Sequence, residues 1–195
     1  MEFSKYIVPI YSNDKFSGTG FIVGGLLITA NHVVKNKINS FFIFEGKHYK
    51  IEIRGLISLE FPDDFTSPNY AYDLFICKTD IENSDLFLSE DYNKDICCQY
   101  YGYSYDEKRR MIIVDKEPEI KISRDEALTK HYGQYIPLHN CLSCYSDLRP
   151  GNSGGPLFQN GNIIGMLLQG DIYHEKCIEC KFLKASYVMK AIVQS

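Results

Sequence analysis

Short apolar runs separated by polar turn residues make up most of this chain. The runs of the first half lie at residues 6–11, 19–23, 26–29, 40–45, 50–59 and 74–78. Those of the second half lie at residues 98–103, 110–114, 119–122, 138–142, 156–159, 162–169 and 180–185. Turn residues such as Gly24-Gly25 and Asn160-Gly161 break the pattern between them. Many short strands at regular spacing predict a β-sandwich or a β-barrel.

A helical pattern occurs only at residues 186–194, where apolar residues recur on one face. A polar stretch at 81–94 separates the two groups of strands. With 195 residues, the chain is long enough for one large domain or two small ones that share an interface. The pattern predicts an all-β chain with an N-terminal unit at residues 1–90 and a C-terminal unit at residues 91–195, which ends in a short helix.

The composition is that of an ordinary globular protein, with 45% hydrophobic and 24% charged residues. The net charge of -4 argues against a nucleic-acid binder. No apolar run is long enough to cross a bilayer, and the N-terminus lacks the basic and apolar regions of a secretory signal. We therefore expect a cytoplasmic protein that binds neither nucleic acid nor a membrane.

Two residues of the first half stand at the ends of apolar segments. His32 follows one such segment within Thr-Ala-Asn-His-Val-Val, and Asp73 directly precedes another, Leu-Phe-Ile-Cys. A packed histidine and a strand-end carboxylate often have only structural roles. Their alternative roles are those of a general base and of the carboxylate that orients it.

The third motif is Gly-Asn-Ser-Gly-Gly-Pro-Leu at residues 151–157. A nucleophilic serine needs neighbours without bulk, because glycines permit a tight turn and a close approach of the substrate carbonyl. Two backbone N–H groups near such a turn can point at one oxygen and form an oxyanion hole. The run is more specific than a glycine-rich turn requires. The chain order His32, Asp73, Ser153 is also that of the chymotrypsin arrangement.

With these motifs, the sequence resembles the trypsin/chymotrypsin-like serine protease family, and most closely its bacterial and HtrA-like members. The resemblance rests on residues 18–23, 29–34, 73–76 and 151–157 and extends from about residue 17 to residue 192. It implies two six-stranded antiparallel β-barrels with the active site in the cleft between them. His32 and Asp73 would belong to the first barrel and Ser153 to the second.

The resemblance also implies a serine endopeptidase. Ser153 would attack the peptide carbonyl, His32 would accept its proton, and Asp73 would orient the imidazole. The N–H groups of Gly151 and Ser153 would bind the oxyanion, and no cofactor is needed for this reaction. A protease-fold module that binds partners without catalysis and an esterase-type hydrolase are the alternatives.

Control and specificity are further expectations from the resemblance. Trypsin-type zymogens carry an aspartate before the serine that pairs with a newly cut N-terminus, whereas Asn152 stands here and cannot form that ion pair. We therefore expect no activation by N-terminal cleavage. The implied substrate pocket is lined by Asp147, Leu168, Gln169 and Gly170. At its spacing from the serine, Asp147 implies a preference for Lys or Arg, unless it is an ordinary loop residue.

The chain has seven cysteines, and an odd number without a secretory signal argues against a pure disulfide framework. Cys141, Cys144, Cys177 and Cys180 form two C-x-x-C pairs, whose loops the implied fold brings together beside the pocket. Four thiolates suit a structural, tetrahedral Zn²⁺ site. Two disulfides or four unligated thiols are the alternatives. The other three cysteines are expected to be core thiols: Cys77, Cys97 and Cys98.

The biological role is inferred from size and expected location alone. A short cytoplasmic protease needs a restricted substrate range to be safe. We therefore expect protein or peptide substrates of narrow range, with a dedicated protein partner in a regulatory, stress or defence role.

Overall fold

A computed structural model describes residues 3–35, 39–52, 57–59, 73–109, 111–131, 134–146, 148–173 and 176–194. The first half begins with a short 3₁₀ helix, Phe3–Tyr6. Its further elements are β1 (Ile7–Ser12), β2 (Lys15–Val23), β3 (Leu26–Ala30), α1 (Asn31–Val34), β4 (Ser40–Phe44), β5 (Lys47–Lys50), β6 (Ile57–Leu59) and β7 (Leu74–Lys78). Those of the second half are β8 (Cys98–Asp106), β9 (Met111–Arg124), β10 (Ala127–His131), β11 (Gln134–Leu138), β12 (Cys141–Tyr145), β13 (Pro156–Gln159), β14 (Asn162–Tyr173), β15 (Lys176–Lys184) and α2 (Ala185–Gln194).

The first half forms one antiparallel sheet in the order β5-β4-β1-β2-β3-β7-β6. The second half forms a closed barrel in the order β12-β15-β14-β13-β8-β9, and β10 and β11 form a separate hairpin. Several hairpins turn through residues at positive φ, such as Asn160 at 52° and Gly161 at 82°. This backbone twist matches that of the flanking strands. The architecture confirms the predicted all-β, chymotrypsin-like fold with a short C-terminal helix.

The apolar interior has two parts. The smaller cluster fills the closed barrel and includes Tyr100, Leu142 and Phe182, all fully buried. The larger cluster contains residues of the first sheet, such as Phe21, together with residues of the second half, such as Leu168. Because one cluster joins the two halves, burial of apolar surface holds them against each other. The predicted boundary at residue 90 stays a prediction.

Several predicted elements differ in extent from those of the structure. Residues 111–114 and 119–122, predicted as parts of two separate strands, belong to one continuous strand, β9, and residue 110 lies outside the described ranges. The β8–β9 register shifts between Cys98 and Tyr100, opposite Pro118, and a bulge tolerates a residue without an N–H group. The predicted strand at 50–59 is replaced by the separate strands β5 and β6, with residues 53–56 outside the described ranges. Within the described part of the chain, no helix has the length and apolar character needed to span a membrane.

Candidate active site

His32 and Asp73 are joined by two hydrogen bonds. The backbone N–H of His32 donates to Oδ1 of Asp73 over 2.8 Å, and Nδ1 of the ring lies 2.6 Å from Oδ2. The Asp73 side chain is 7% exposed, whereas that of His32 is 49% exposed. A carboxylate shielded from water thus orients the imidazole through Nδ1. The other ring nitrogen, Nε2, is not engaged by Asp73 and can accept or donate a proton.

The local fold explains why this pair forms. Strand β3 is buried, and the chain turns directly from it into α1, which begins at Asn31. The N–H of Asn31 donates to the Asp73 carbonyl over 2.9 Å, so the start of α1 is bonded to the residue that precedes β7. Asp73 has a φ of 43°, a conformation that costs a non-glycine residue free energy. Its bonds to Asn31 and His32 hold it there.

The serine loop, residues 149–155, lies against the first sheet. Gly154 has a φ of 85°, and a Cβ there would overlap the Thr19 carbonyl and the Thr29 hydroxyl. Gly151 has a φ of 95°, and a Cβ there would overlap the Phe16 ring. Both positions therefore require glycine, because of the backbone conformation and because of the close approach.

Gly18 of β2 lies between α1 and the serine loop. A Cβ built on Gly18 would lie 2.7 Å from Cγ2 of Val33 and 3.1 Å from the carbonyl oxygen of Ser153. Val33 is the residue after His32. The segments that carry His32 and Ser153 are therefore separated at this point by little more than one glycine.

Thr19 on β2 bonds the serine loop to the first sheet. Its N–H donates to the Ser153 carbonyl over 2.9 Å, and its hydroxyl donates to the Gly151 carbonyl over 3.0 Å. The same hydroxyl accepts a 2.9 Å bond from the N–H of Tyr103 on β8. One buried threonine thus connects the first sheet, the closed barrel and the serine loop.

Asn152, the residue before the serine, is fully buried and bonded at both ends of its amide. Its Oδ1 accepts from the N–H of Arg149 over 2.5 Å, and its Nδ2 donates to the Tyr103 carbonyl over 3.1 Å. The carbonyl of Asn152 accepts a 2.6 Å bond from the Tyr100 hydroxyl. The side chain before the serine is therefore a neutral amide, and backbone groups supply the hydrogen-bond partners of both its oxygen and its nitrogen.

The N–H groups of Gly151 and Ser153 donate to no acceptor among the residues that the structure describes. Nor are Ser153 and His32, both described, joined by a hydrogen bond to each other. Serine–histidine contacts of this kind are often long in a protein without substrate and shorten when substrate binds. The loop thus offers two backbone donors on either side of Asn152, and the oxyanion hole stays a prediction.

The predicted pocket residues differ in exposure. Leu168 is fully buried in the larger cluster, Gln169 is half-buried and Gly170 is exposed. Asp147 lies outside the described residues. Strand β14 pairs with β15 along one edge and with β13 along the other. The pairing with β13 extends only as far as Met166, so none of the described strands pairs with residues 168–170 on the β13 side.

The predicted cysteine site is not assembled by the described thiols. Cys141 and Cys144 stand three residues apart on β12, and side chains at that spacing point to opposite faces of a strand. Cys141 packs in the larger cluster, whereas Cys144 lies with Cys180 inside the closed barrel. The described residues contain no group of three potential metal ligands, and the side chain of Cys177 lies outside them.

These thiols therefore do not fit a four-thiolate zinc site, and zinc binding stays a prediction of the sequence. Cys141, Cys144 and Cys180 are free thiols, which does not support the disulfide alternative for these three. Among the cysteines expected in the core, Cys77 and Cys98 are buried. Cys97, which directly precedes β8, is exposed, so the expectation of a core thiol is wrong for this residue.

Three positioning contacts were not foreseen from the sequence: those of Asn31, Thr19 and Tyr100. Asn31 and Thr19 belong to motifs that were recognised for their neighbours, and their polar side chains within apolar segments were the available signal. Nothing near Tyr100 in the sequence indicates its bond to Asn152, which is 52 residues away.

A family model described as Trypsin matches residues 2–182. No curated protein sequence matches the chain. Among solved structures, a serine-to-alanine mutant of Rv3671c from M. tuberculosis H37Rv, in an inactive form, superposes with a TM-score of 0.68 at 17% identity, covering 98% of this chain and 87% of that chain. A variant of the HtrA-type protease AlgW with a tripeptide gives 0.70 at 18% identity, covering 98% and 60%. Neuropsin, a serine protease from mouse brain, gives 0.65 at 13% identity, covering 98% and 94%. These similarities show the fold, and the family match shows that the chain belongs to the trypsin family of serine proteases.

Proposed function

We propose that the protein is a serine endopeptidase in which His32, Asp73 and Ser153 form the catalytic triad. The observation that carries the proposal is the 2.6 Å contact between Nδ1 of His32 and Oδ2 of Asp73. An Nδ1–H that donates to the carboxylate leaves Nε2 as the acceptor that a general base needs. Ser153 belongs to the loop that Gly18 and Thr19 hold beside α1.

The reaction follows from these roles. Oγ of Ser153 attacks the peptide carbonyl while Nε2 of His32 accepts the hydroxyl proton, and Asp73 stabilises the imidazolium. The N–H groups of Gly151 and Ser153 would bind the oxyanion, at about 3 kcal/mol per donor. The C–N bond then breaks as His32 returns the proton to the leaving amine. Water hydrolyses the acyl-enzyme by the same proton transfers in reverse order.

A peptide substrate is supported by the unpaired edge of β14. An extended peptide can add to residues 168–170 as an antiparallel strand and bond to their backbone groups. We also propose a preference for Lys or Arg, set by Asp147, and a narrow range of protein substrates. A cytoplasmic location and a dedicated partner belong to the same proposal.

Labelling with a fluorophosphonate probe tests the triad. We expect the wild-type chain to react and the Ser153→Ala and His32→Ala variants to lose the label. Ser84→Ala, which removes an exposed hydroxyl from the segment between the two halves, is the matched control and should react fully. A folded wild-type chain that does not react would contradict the proposal and favour a binding module. Hydrolysis of esters without any peptide cleavage would favour an esterase.

Specificity requires a separate experiment. Digestion of a peptide library should show cleavage after Lys or Arg, and Asp147→Asn should abolish the preference. Cleavage after aliphatic residues would contradict it. Comparing cells that contain Ser153→Ala with wild-type cells would identify protein substrates, and cell fractionation would test the location.

A further inference from the structure

The three consecutive carbonyls of the serine loop are all held from the interior of the molecule. The hydroxyl of Thr19 donates to the Gly151 carbonyl, the hydroxyl of Tyr100 to the Asn152 carbonyl, and the N–H of Thr19 to the Ser153 carbonyl. In the same loop, the N–H groups of Gly151 and Ser153 have no acceptor among the described residues. The carbonyls thus face their donors while two N–H groups stay free.

The geometry of one peptide group connects these two facts. The carbonyl of Asn152 and the N–H of Ser153 belong to the same peptide bond, which is planar and trans, so they point in opposite directions. Whatever fixes the Asn152 carbonyl therefore fixes the direction of the Ser153 N–H. We propose that Tyr100 is a positioning residue of the oxyanion hole, because its hydroxyl holds the Asn152 carbonyl inward and thereby turns the Ser153 N–H away from the interior.

Tyr100 is well fixed for this role. The residue is fully buried on β8, as is Asn152, so water does not compete for their 2.6 Å bond. Its phenol lies against two glycines, since a Cβ at either Gly102 or Gly155 would overlap the Tyr100 hydroxyl. The ring of Phe182 packs edge-on against it, with centroids 6.3 Å apart. The hydroxyl thus occupies one place relative to the loop.

The Asn152 carbonyl also accepts a 3.0 Å bond from the N–H of Gly155, but that donor belongs to the serine loop itself. The Tyr100 hydroxyl is the donor that fixes this carbonyl relative to the closed barrel. Rotation of the Asn152–Ser153 peptide changes ψ of Asn152 and φ of Ser153, and the glycines on either side, Gly151 and Gly154, let the loop adjust to such a change because glycine adopts both signs of φ readily. If the peptide rotated, the Ser153 N–H would turn inward and the oxyanion hole would lose one of its two donors. Tyr100 selects the orientation before substrate arrives, and a preorganised donor costs no reorganisation during the reaction.

The inference rests on the proposed function, because the Ser153 N–H matters only if an oxyanion forms there. Tyr100→Phe tests it by removing one oxygen atom. Tyr92→Phe is the matched control, since Tyr92 packs against the same cluster and its hydroxyl donates to Asp125 over 3.0 Å, not to the serine loop. Both variants should be compared with the wild type at a temperature where all three are folded.

We expect Tyr100→Phe to lower kcat for acylation about tenfold, with KM changed less than about twofold. The inhibition constant of a peptide boronate, which forms a tetrahedral adduct, should rise by a similar factor. The pH midpoint of kcat/KM should not move, because the His32–Asp73 pair is untouched. Tyr92→Phe should match the wild type in all three measurements.

Crystal structures of the wild type and of Tyr100→Phe give a readout that does not depend on catalysis. We expect the Asn152–Ser153 peptide to be rotated, or present in two orientations, in Tyr100→Phe. An unchanged peptide orientation and an unchanged kcat would overturn the inference, even if the variant unfolded at a lower temperature. A wild-type chain without hydrolytic activity would instead refute the proposed function, and the peptide orientation would still decide the role of Tyr100.

Discussion

Asp73 accepts two hydrogen bonds from His32, one from its backbone and one from its ring. The bond to the ring requires an acceptor at Oδ2. Asp73→Asn can place an N–H₂ group there, which would favour the wrong imidazole tautomer, so we expect kcat to fall about ten-thousandfold. Steady-state kinetics on a peptide substrate measure the loss. Asp80→Asn, at an exposed aspartate of the same half, should leave kcat unchanged. A loss below about tenfold in Asp73→Asn would mean that the pair is only structural.

Gly154 and Gly161 have nearly the same φ, 85° and 82°, in different surroundings. A Cβ at Gly161 meets nothing within 4 Å, whereas one at Gly154 would overlap Thr19 and Thr29. Gly161→Ala should therefore cost only the backbone term, about 1 to 2 kcal/mol of unfolding free energy.

Gly154→Ala should cost at least about 2 kcal/mol more than Gly161→Ala, because the overlap moves the serine loop away from the first sheet. The same variant should lose fluorophosphonate labelling, and Gly161→Ala should keep it. Urea unfolding followed by labelling measures both effects. Equal stability and equal labelling of the two variants would show that the loop accommodates the methyl group.

Asn31 links α1 to β6 through its side chain. The hydroxyl of Ser58 donates to Oδ1 of Asn31 over 2.9 Å, and Ser58 stands opposite Phe75, two residues after Asp73. A double-mutant cycle with Asn31→Ala and Ser58→Ala should give a coupling of about 0.5 to 1.5 kcal/mol in unfolding free energy. Each single variant should also lower kcat, because the bond supports the start of the helix that carries His32. Additive effects would show that the contact contributes nothing.

Burial raises the pKa of the Cys141 thiol from 9.0 to about 12, although Lys184 and Lys181 oppose the shift. Below pH 9 the thiol is protonated in both the folded and the unfolded chain, so its contribution to stability is fully present. As the pH rises from 9 towards 12, only the unfolded chain loses the proton. Ionisation of this thiol in the unfolded chain should therefore lower the free energy of unfolding by about 4 kcal/mol across that range.

Unfolding free energies measured at a series of alkaline pH values check this expectation. Cys141→Ala should be less stable at neutral pH, because it leaves a cavity, but should lose less stability between pH 9 and 12 than the wild type. Cys97→Ala, at an exposed thiol, should follow the wild-type curve. A pH dependence that is the same with and without the Cys141 thiol would contradict the assignment.

The sequence predicted the strands and the candidate site where the pattern is local. The segment at 18–23 and the turn that follows it are visible in the alternation of apolar and glycine residues, and His32, Asp73 and Ser153 stand within short motifs. The extent of β9 was not predictable, because Lys116, Glu117 and Pro118 interrupt the apolar pattern. In the barrel this strand is held by pairing with two neighbours, which local sequence does not encode.

The contacts that hold the site were beyond reach for the same reason. The bond from Thr19 to Gly151 joins residues 132 positions apart, and that from Tyr100 to Asn152 joins residues 52 apart. The cysteine pairs show a different limit. Zinc binding stays a prediction, but β12 directs Cys141 and Cys144 to opposite faces, and spacing alone does not reveal the secondary structure in which a pair stands.

The two bonds from Thr19 to the serine loop join segments that are synthesised at very different times. Thr19 and the His32–Asp73 pair emerge from the ribosome before residues 149–155, and the loop is also anchored by the bond from the Gly154 N–H to the Leu167 carbonyl of β14. The serine loop can therefore be fully anchored only after β14 has been synthesised and has docked. The residues that carry His32 and Asp73 are therefore made more than 70 positions before the serine loop can be anchored, so the two parts of the candidate site become ordered together only late in synthesis.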